Sequence, residues 1–514
     1  EIEGLDAADR GQIAQQHAEI LIWKAQALNA TDQPNDAHGP LDDAANTLKD
    51  CVGFDAQKAL AKLHRIRGIV HNAEGDPNAA LAAYDQAWEV FEGRALKDDV
   101  SLDSVRARLH LNRGNALLGK GDTDWALKAY DRAQELLDGE TLKRNPVHDA
   151  NRAKLHANRG IALSRKGDPD GALQAYDRGL ELLDGETLKN NPVHDWDRAS
   201  LHLNCGIALF GKGDLDGALR AINRSQELLD GESLKHNPSY DGDRAKLHFY
   251  RGVMLGKKGK PDGSLRAFEH SLKLFNGKSL RDNPAFDGDR AKLHGSRGVA
   301  LWAKGDPDGA LRAYEHCLKL CNGKSLRDNP AFDEDRATQH MNRGVVLNIK
   351  GDLDGALCAF DRSLTLYEGK TLQGNPMFDG SRATLHLNLG SALMDKEDLD
   401  GALQAYDRGL ELLDGETLKH SPFYDEVRAR LHLNRGIVFV NAKNRLASDA
   451  AHDAIASFKA AIEVCEGSTN RTELPLQALV CQAYRLASSL LAHFPSPHVW
   501  ARDKSGRMVE MLEL

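Results

Sequence analysis

Nine glycines, Gly68, Gly114, Gly160, Gly206, Gly252, Gly298, Gly344, Gly390 and Gly436, follow one another at intervals of 46 residues. A spacing held through nine copies is the mark of a stacked array, in which each unit buries its apolar surface only against its neighbours. The 514 residues are therefore read as one array with two ends rather than as several globular domains. A histidine stands four residues before every glycine: His64, His110, His156, His202, His248, His294, His340, His386 and His432. The segment Gly171 to Lys189 returns unchanged as Gly401 to Lys419, five periods later, which implies recent internal duplication.

One unit, Asp149 to Asp195, shows the local logic. A first helix is predicted from about Ala150 to Lys166, with Asp149 as its N-cap and Gly167-Asp168-Pro169-Asp170 as its terminating turn. Proline is tolerated at the first position of a helix, so a second helix begins at Pro169 and runs to Leu183, where Asp184-Gly185 stops it. On the first helix Ala153, His156, Gly160 and Leu163 share a face, and Ala172, Leu173, Tyr176, Leu180 and Leu183 form the answering stripe on the second. The two helices are predicted to be antiparallel neighbours. The following ten residues, Glu186 to Asp195, keep a Leu, an Asn-Pro or Ser-Pro, an aromatic or His, and an Asp in the same places from unit to unit. A connector with such fixed features is predicted to pack along one edge of the array.

These residues resemble the tetratricopeptide repeat family. The family pattern of a Gly in the first helix, a small residue early in the second, an aromatic four residues later and a small residue three beyond is met by Gly160, Ala172, Tyr176 and Gly179. It recurs as Gly114, Ala126, Tyr130, Ala133 and as Gly344, Ala356, Phe360, Ser363. The resemblance spans roughly residues 55–467 and implies an all-α fold, an α-solenoid in which antiparallel helix pairs form a right-handed superhelix. The unit departs from the family in its length, in the His at the usual aromatic position four before the Gly, and in the Arg that mostly replaces the Leu just before it, as at Arg113, Arg159 and Arg435. Nine repeats are expected over 55–467, a degenerate N-terminal repeat or cap over 1–54 with a long polar turn from Asn29 to Pro40, and C-terminal capping helices over 468–514.

The resemblance also implies a concave groove lined by a second face of each first helix, at the positions six before, three before, one after and four after the repeat Gly. Groove residues are thereby expected to include Lys154, Leu203, Phe210, Lys246, Phe249, Lys292, Trp302 and Met341, an apolar stripe with basic edges. Phe210, Phe249 and Trp302 are the expected anchors, because large aromatics dominate binding energies. Peptide-binding members of the family place Asn and Lys in the groove to hold a backbone or a terminal carboxylate. Asn158, Asn204 and Asn342 stand two before their glycines and match that pattern in part.

Composition narrows the function. A formal charge of −9 argues against a dedicated nucleic-acid binder, and seven scattered cysteines suit a reducing compartment such as the cytoplasm. No apolar run reaches membrane-spanning length. Gly114 to Gly121 and Gly206 to Gly213 imitate a phosphate-binding loop, but Gly stands where a magnesium-binding Ser or Thr is required. Cys317 and Cys321 share a helical face without further ligands, and no nucleophile, base and orienting group recur together. No catalytic residue, cofactor or metal site is assigned. The histidine ladder is expected to be structural, each ring bonded to a connector carbonyl or carboxylate, and the arginine ladder Arg106 to Arg428 to pair with acidic helix and connector residues. The expected function is an adaptor that binds a partner peptide or helix. A sensory or regulatory arm of a larger effector, with catalysis elsewhere, is the alternative, and an RNA-binding solenoid is disfavoured. The opening Glu1-Ile2-Glu3 without a methionine suggests a piece of a longer protein.

Overall fold

The first helix of a repeat ends where the chain needs a backbone that only glycine adopts without strain. Gly121, Gly167, Gly213, Gly305 and Gly351 take φ between 82 and 92°. After Gly167, Gly213, Gly305 and Gly351 the next residue is an aspartate whose carboxylate caps the second helix, as Asp168 does by accepting from the Gly171 N–H at 2.9 Å. In the computed structural model, residues 7–31, 33–143, 145–441, 448–469, 474–493, 498–502 and 508–512 are described. They belong to two compact units, 1–258 and 259–514.

The first unit holds α1 (Ala7–Ala30), α2 (His38–Leu48), α3 (Phe54–Ala73), α4 (Pro77–Glu92), α5 (Asp103–Lys120), α6 (Thr123–Leu137), α7 (Asp149–Arg165), α8 (Pro169–Leu183), α9 (Asp195–Gly211), α10 (Leu215–Leu229) and α11 (Asp241–Lys257). The second unit holds α12 (Pro261–Phe275), α13 (Asp287–Ala303), α14 (Pro307–Cys321), α15 (Asp333–Ile349), α16 (Leu353–Tyr367), α17 (Asp379–Asp395), α18 (Leu399–Leu413), α19 (Asp425–Asn441), α20 (Ser448–Gly467) and α21 (Leu474–His493). Within each unit the first helices pack on their own second helices, as α7 on α8 and α13 on α14, and the second helices on the first helices that follow, as α8 on α9 and α14 on α15, so the core of each unit runs as a file of small clusters. The fold class is all-α in the array, as expected.

The repeat glycine explains how closely the pair approaches. A Cβ on Gly160 would lie 2.3 Å from the ring of Tyr176, and Gly114, Gly298 and Gly390 stand in the same relation to Tyr130, Tyr314 and Tyr406. In the fourth repeat Gly206 faces Ile222 instead.

The connector is held by the arginine ladder. The Arg198 guanidinium, almost wholly buried, donates to the Asp195 carboxylate at 3.1 Å and to the carbonyls of Leu183 at 2.7 Å, of Leu188, and of Asn191 at 3.3 Å. Leu183 is the last residue of α8, so this one side chain satisfies a carbonyl that a helix end leaves without an intrahelical partner and closes the connector loop onto it. Arg152, Arg244, Arg290 and Arg336 repeat the arrangement. The pairing with helix and connector groups is as expected, with carbonyls as the larger share. Asp149 is a correction in detail: it is the first residue of α7 rather than its side-chain cap, and its carboxylate is turned to Arg152 at 2.8 Å. The Asn-Pro step is an Asx turn, in which Asn191 accepts from the Val193 N–H at 3.1 Å.

At the N-terminal end α1 and α2 form a hairpin whose Ala18, Ile22, Ala25, Leu41 and Ala44 pack on α3. The turn is shorter than expected, since α2 already begins at His38. At the other end α21 packs on α19 and α20. A second capping helix is not found there: His498–Arg502 (β1) and Met508–Leu512 (β2) pair as an antiparallel hairpin. The sequence of the last repeat predicts six additional turn residues between Gly436 and Ala454, and within that stretch 442–447 lie outside the described residues.

Candidate functional site

Helix α7 and its counterparts have two working faces. The face carrying Gly160 is buried against the second helix of the repeat, where Ala172, Tyr176 and Leu183 are at most 2% exposed. The other carries the expected groove residues, and the structure can be read for each unit separately.

In the first unit Lys154 is exposed, while Asn158, Leu203, Asn204, Phe210, Lys246 and Phe249 are half-buried. Leu203 and Phe210 lean on the cluster of Ala199, Ala218, Ile222, Leu247 and Met254, so the neighbouring repeat covers part of each. Phe249 meets the Tyr250 ring edge-on, with centroids 5.2 Å apart. In the second unit Lys292 is exposed, with its ammonium 5.8 Å from the centre of the Phe332 ring, and Trp302, Met341 and Asn342 are half-buried. Val299, one turn from Trp302 on the same helix, stays 51% exposed. Packing thus covers part of each anchor and leaves part of it open.

The asparagines are a partial correction. The Asn158 amide donates to the Asn115 carbonyl oxygen at 2.9 Å, and the Tyr130 hydroxyl donates to the same oxygen at 2.8 Å. In the second unit Asn434 and Tyr406 converge on the Ser391 hydroxyl in the same way, each at 3.4 Å. Two asparagines of the ladder therefore bond between successive first helices, satisfying the tyrosine that packs behind the repeat glycine. Such an amide is not free to hold a terminal carboxylate.

The histidines also differ from expectation. Instead of bonding to the connector, the Nδ1 atoms of His156, His294, His340 and His386 and Nε2 of His110 are buried without a partner. Burial is the main reason that His110, His294, His340, His386 and His432 are held down to about 4, with nearby arginines adding to the effect for most of them. These rings are neutral at pH 7 and fill an aromatic's place in the packing.

The arginine before the glycine, which departs from the family, reaches back to the second helix of the preceding repeat: Arg159 to Asp131 at 3.3 Å, Arg435 to Asp407 at 2.7 Å. A second inter-repeat ladder was not anticipated from sequence. From Lys166 to Lys396 the lysine closing the first helix meets the aspartate at the start of the preceding repeat's second helix, as Lys166 meets Asp124 at 2.8 Å and Lys304 meets Asp262 at 2.9 Å. Both residues recur at the 46-residue period, so periodicity alone could have paired them. Also missed was a cluster at the N-terminal end, where His38, His71 and Glu74 bring their side-chain donors within 4.8 Å of one another.

No family model matches the chain, and no curated protein matches it. Among solved structures it is similar to the apo form of RapI, at 15% identity over 76% of this chain and 98% of that one, with a TM-score of 0.50. The fold is of the tetratricopeptide type. Further likenesses are to a Rap protein complexed with competence and sporulation factor (13% identity, 77% of this chain and 98% of that one, TM-score 0.48) and to YrrB, a TPR protein with an unusual peptide-binding site (18% identity, 48% and 96%, TM-score 0.30). Within this tetratricopeptide-type fold, no helix among the described residues is long and apolar enough to cross a membrane.

Proposed function

We propose that the chain is a protein-interaction adaptor, which captures an extended or helical segment of a partner on the second face of its first helices. The observation that carries this reading is the row of half-buried apolar side chains, Leu203, Phe210 and Phe249 in one unit and Trp302 and Met341 in the other. Repeats need only one buried face to stack, so a second apolar face left partly open is surface available to a partner. Lys154 and Lys292, exposed at its edge, favour a segment with acidic groups beside its apolar residues. Asn204 and Asn342 remain candidates for holding a bound backbone, a role that Asn158 gives up to Asn115.

RNA is not the partner in this reading. The chain's charge is −9, and much of its basic complement is engaged by acids and carbonyls, through the buried arginines and the lysine ladder. Seven free thiols fit a reducing compartment, and we place the adaptor in the cytoplasm.

The test is selection from a displayed library of short peptides against the full chain, followed by binding to Phe249→Ala and Trp302→Ala. Enriched peptides should combine aromatic or aliphatic residues with Asp or Glu and lose roughly 30-fold or more in affinity on either variant, the scale of a hot-spot residue at about 2 kcal/mol. Peptides that bind the double variant as tightly as the parent would sink the groove reading.

A further inference from the structure

The repeats define what each position ordinarily holds, and two residues of the first repeat depart from it together. Three residues after the glycine the repeats carry Leu117, Leu163, Leu209, Leu255, Leu301, Leu347, Leu393 and Phe439; the first carries His71. Leu117, Leu301 and Leu347 are buried there, so an imidazole replaces a core side chain. Six residues after the glycine stand Lys120, Lys166, Lys212, Lys258, Lys304, Lys350 and Lys396; the first repeat has Glu74. A lysine at the end of a helix is favoured by the helix dipole, and a glutamate there is disfavoured. Glu74 is the residue that closes α3, so the substitution is electrostatically adverse on its own helix.

Both departures are toward metal-ligating side chains, and a third ligand meets them. From the third to the eighth repeat the closing lysine finds the preceding repeat's aspartate, as in Lys166–Asp124. At the first junction the preceding element is α2, and its first residue is His38. The His38 Nε2 lies 2.6 Å from one Glu74 carboxylate oxygen, and the His71 Nδ1 lies 3.2 Å from the other. The two imidazole rings are tilted with centroids 5.0 Å apart. These side chains are 34%, 24% and 19% exposed for His38, His71 and Glu74, so the site is walled yet open to entry from solvent.

We propose that His38, His71 and Glu74 bind one divalent transition-metal ion of the zinc type, which ties the N-terminal hairpin to the first repeat. Two imidazole nitrogens and a carboxylate are a donor set suited to zinc, with water in the fourth position, whereas magnesium and calcium require oxygen donors. Tetrahedral donors about 2.0–2.2 Å from zinc stand roughly 3.3–3.6 Å from one another. The present spacing, 2.6 and 3.2 Å to the carboxylate and no pair beyond 4.8 Å, reaches that geometry by side-chain rotation. The ion supplies the positive charge that lysine supplies at the other junctions.

Two substitutions that restore the residues of the other repeats, His71→Leu and Glu74→Lys, remove ligands while returning the site to a packing that the same chain already uses. Titration of the full chain with zinc should show one tight equivalent accompanied by a rise in melting temperature, and cobalt should give the visible absorption of a low-symmetry site. His71→Leu, Glu74→Lys and His38→Ala should each lose that equivalent, with affinity falling about 100-fold or more, while the exposed His236→Ala keeps it. If the parent takes up no saturable equivalent, or if His71→Leu binds zinc as the parent does, the cluster is a hydrogen-bonded junction only and the proposal is wrong.

Discussion

The connector edge and the second face of the first helices are built from the same repeat but on opposite principles. On the connector edge the buried guanidinium of Arg198 meets two carboxylates and three carbonyls, and Arg152, Arg244, Arg290 and Arg336 each meet a carboxylate and at least three carbonyls. On the second face Phe210, Phe249 and Trp302 are half-buried and fit their neighbours along one side only. The first surface therefore holds the repeat to one geometry, and the second keeps apolar area in contact with water. A recurring unit can do both because the forces are separable: polar satisfaction closes the loop, and apolar surface is left over for recognition.

Acid should act on the interior that supports both surfaces, and with the largest summed effect. His110, His294, His340, His386 and His432 are held down to about 4 in the folded chain, against an ordinary value of 6.5. Below pH 6.5 the unfolded chain takes up protons that the folded chain refuses until about pH 4, so stability is full above pH 6.5 and is lost as pH falls across that interval. Each ring contributes up to about 3 kcal/mol over the span. Urea midpoints measured from pH 7.5 to pH 4.5 should decline steadily, and a flat profile would show that the rings are not buried as neutral groups.

A single cut on the connector edge comes next. Arg198→Ala removes the guanidinium from the Leu183 carbonyl, and leaves the Leu188 carbonyl to the Asn191 N–H and the Asp195 carboxylate to the Ser233 hydroxyl. The expected cost is about 3–5 kcal/mol, the scale for one half of a buried ionic network. Hydrogen exchange should show the loss concentrated in the Glu186 to Asp195 connector and the adjoining ends of α8 and α9. A loss under 1 kcal/mol would overturn the distinction between the two surfaces. Gly160→Ala tests the packing behind them: its Cβ would stand 2.3 Å from the Tyr176 ring, and overpacking of that kind costs about 1–3 kcal/mol. Denaturant unfolding of this variant beside Gly211→Ala, where the added Cβ meets nothing within 4 Å, gives the comparison.

The smallest effect belongs to the exposed ladder. Asp170→Ala removes the partner of Lys212, and an exposed ion pair of this type contributes about 0–1 kcal/mol, less in high salt. Should Asp170→Ala prove as damaging as Arg198→Ala, the charge ladder rather than the connector holds successive repeats together.

The helix pairs, the turn at Gly167 to Pro169 and the contact of Gly160 with Tyr176 were legible in the residues, because each depends on neighbours within a few turns of chain. The half-buried state of Phe210 and Trp302 was not, since periodicity places a side chain on a face without saying how far the next repeat covers it. Asn158 was read as a ligand-holding residue for the same reason, and its bond to Asn115 spans 43 residues. The β1–β2 hairpin was missed where the strong helical period ends, in a segment read by extension from the helix before it.

Sequence alone determined the period of 46, the two helices of each unit, and the ladders of His, Arg and Lys, because these are local preferences repeated in register. Tertiary structure decided what each ladder touches. The arginines found carbonyls, His156, His294, His340 and His386 each buried an Nδ1 with no partner, and His38 found Glu74 across 36 residues of chain. Such meetings depend on how one hairpin seats against the next, a distance that spacing along the chain does not encode.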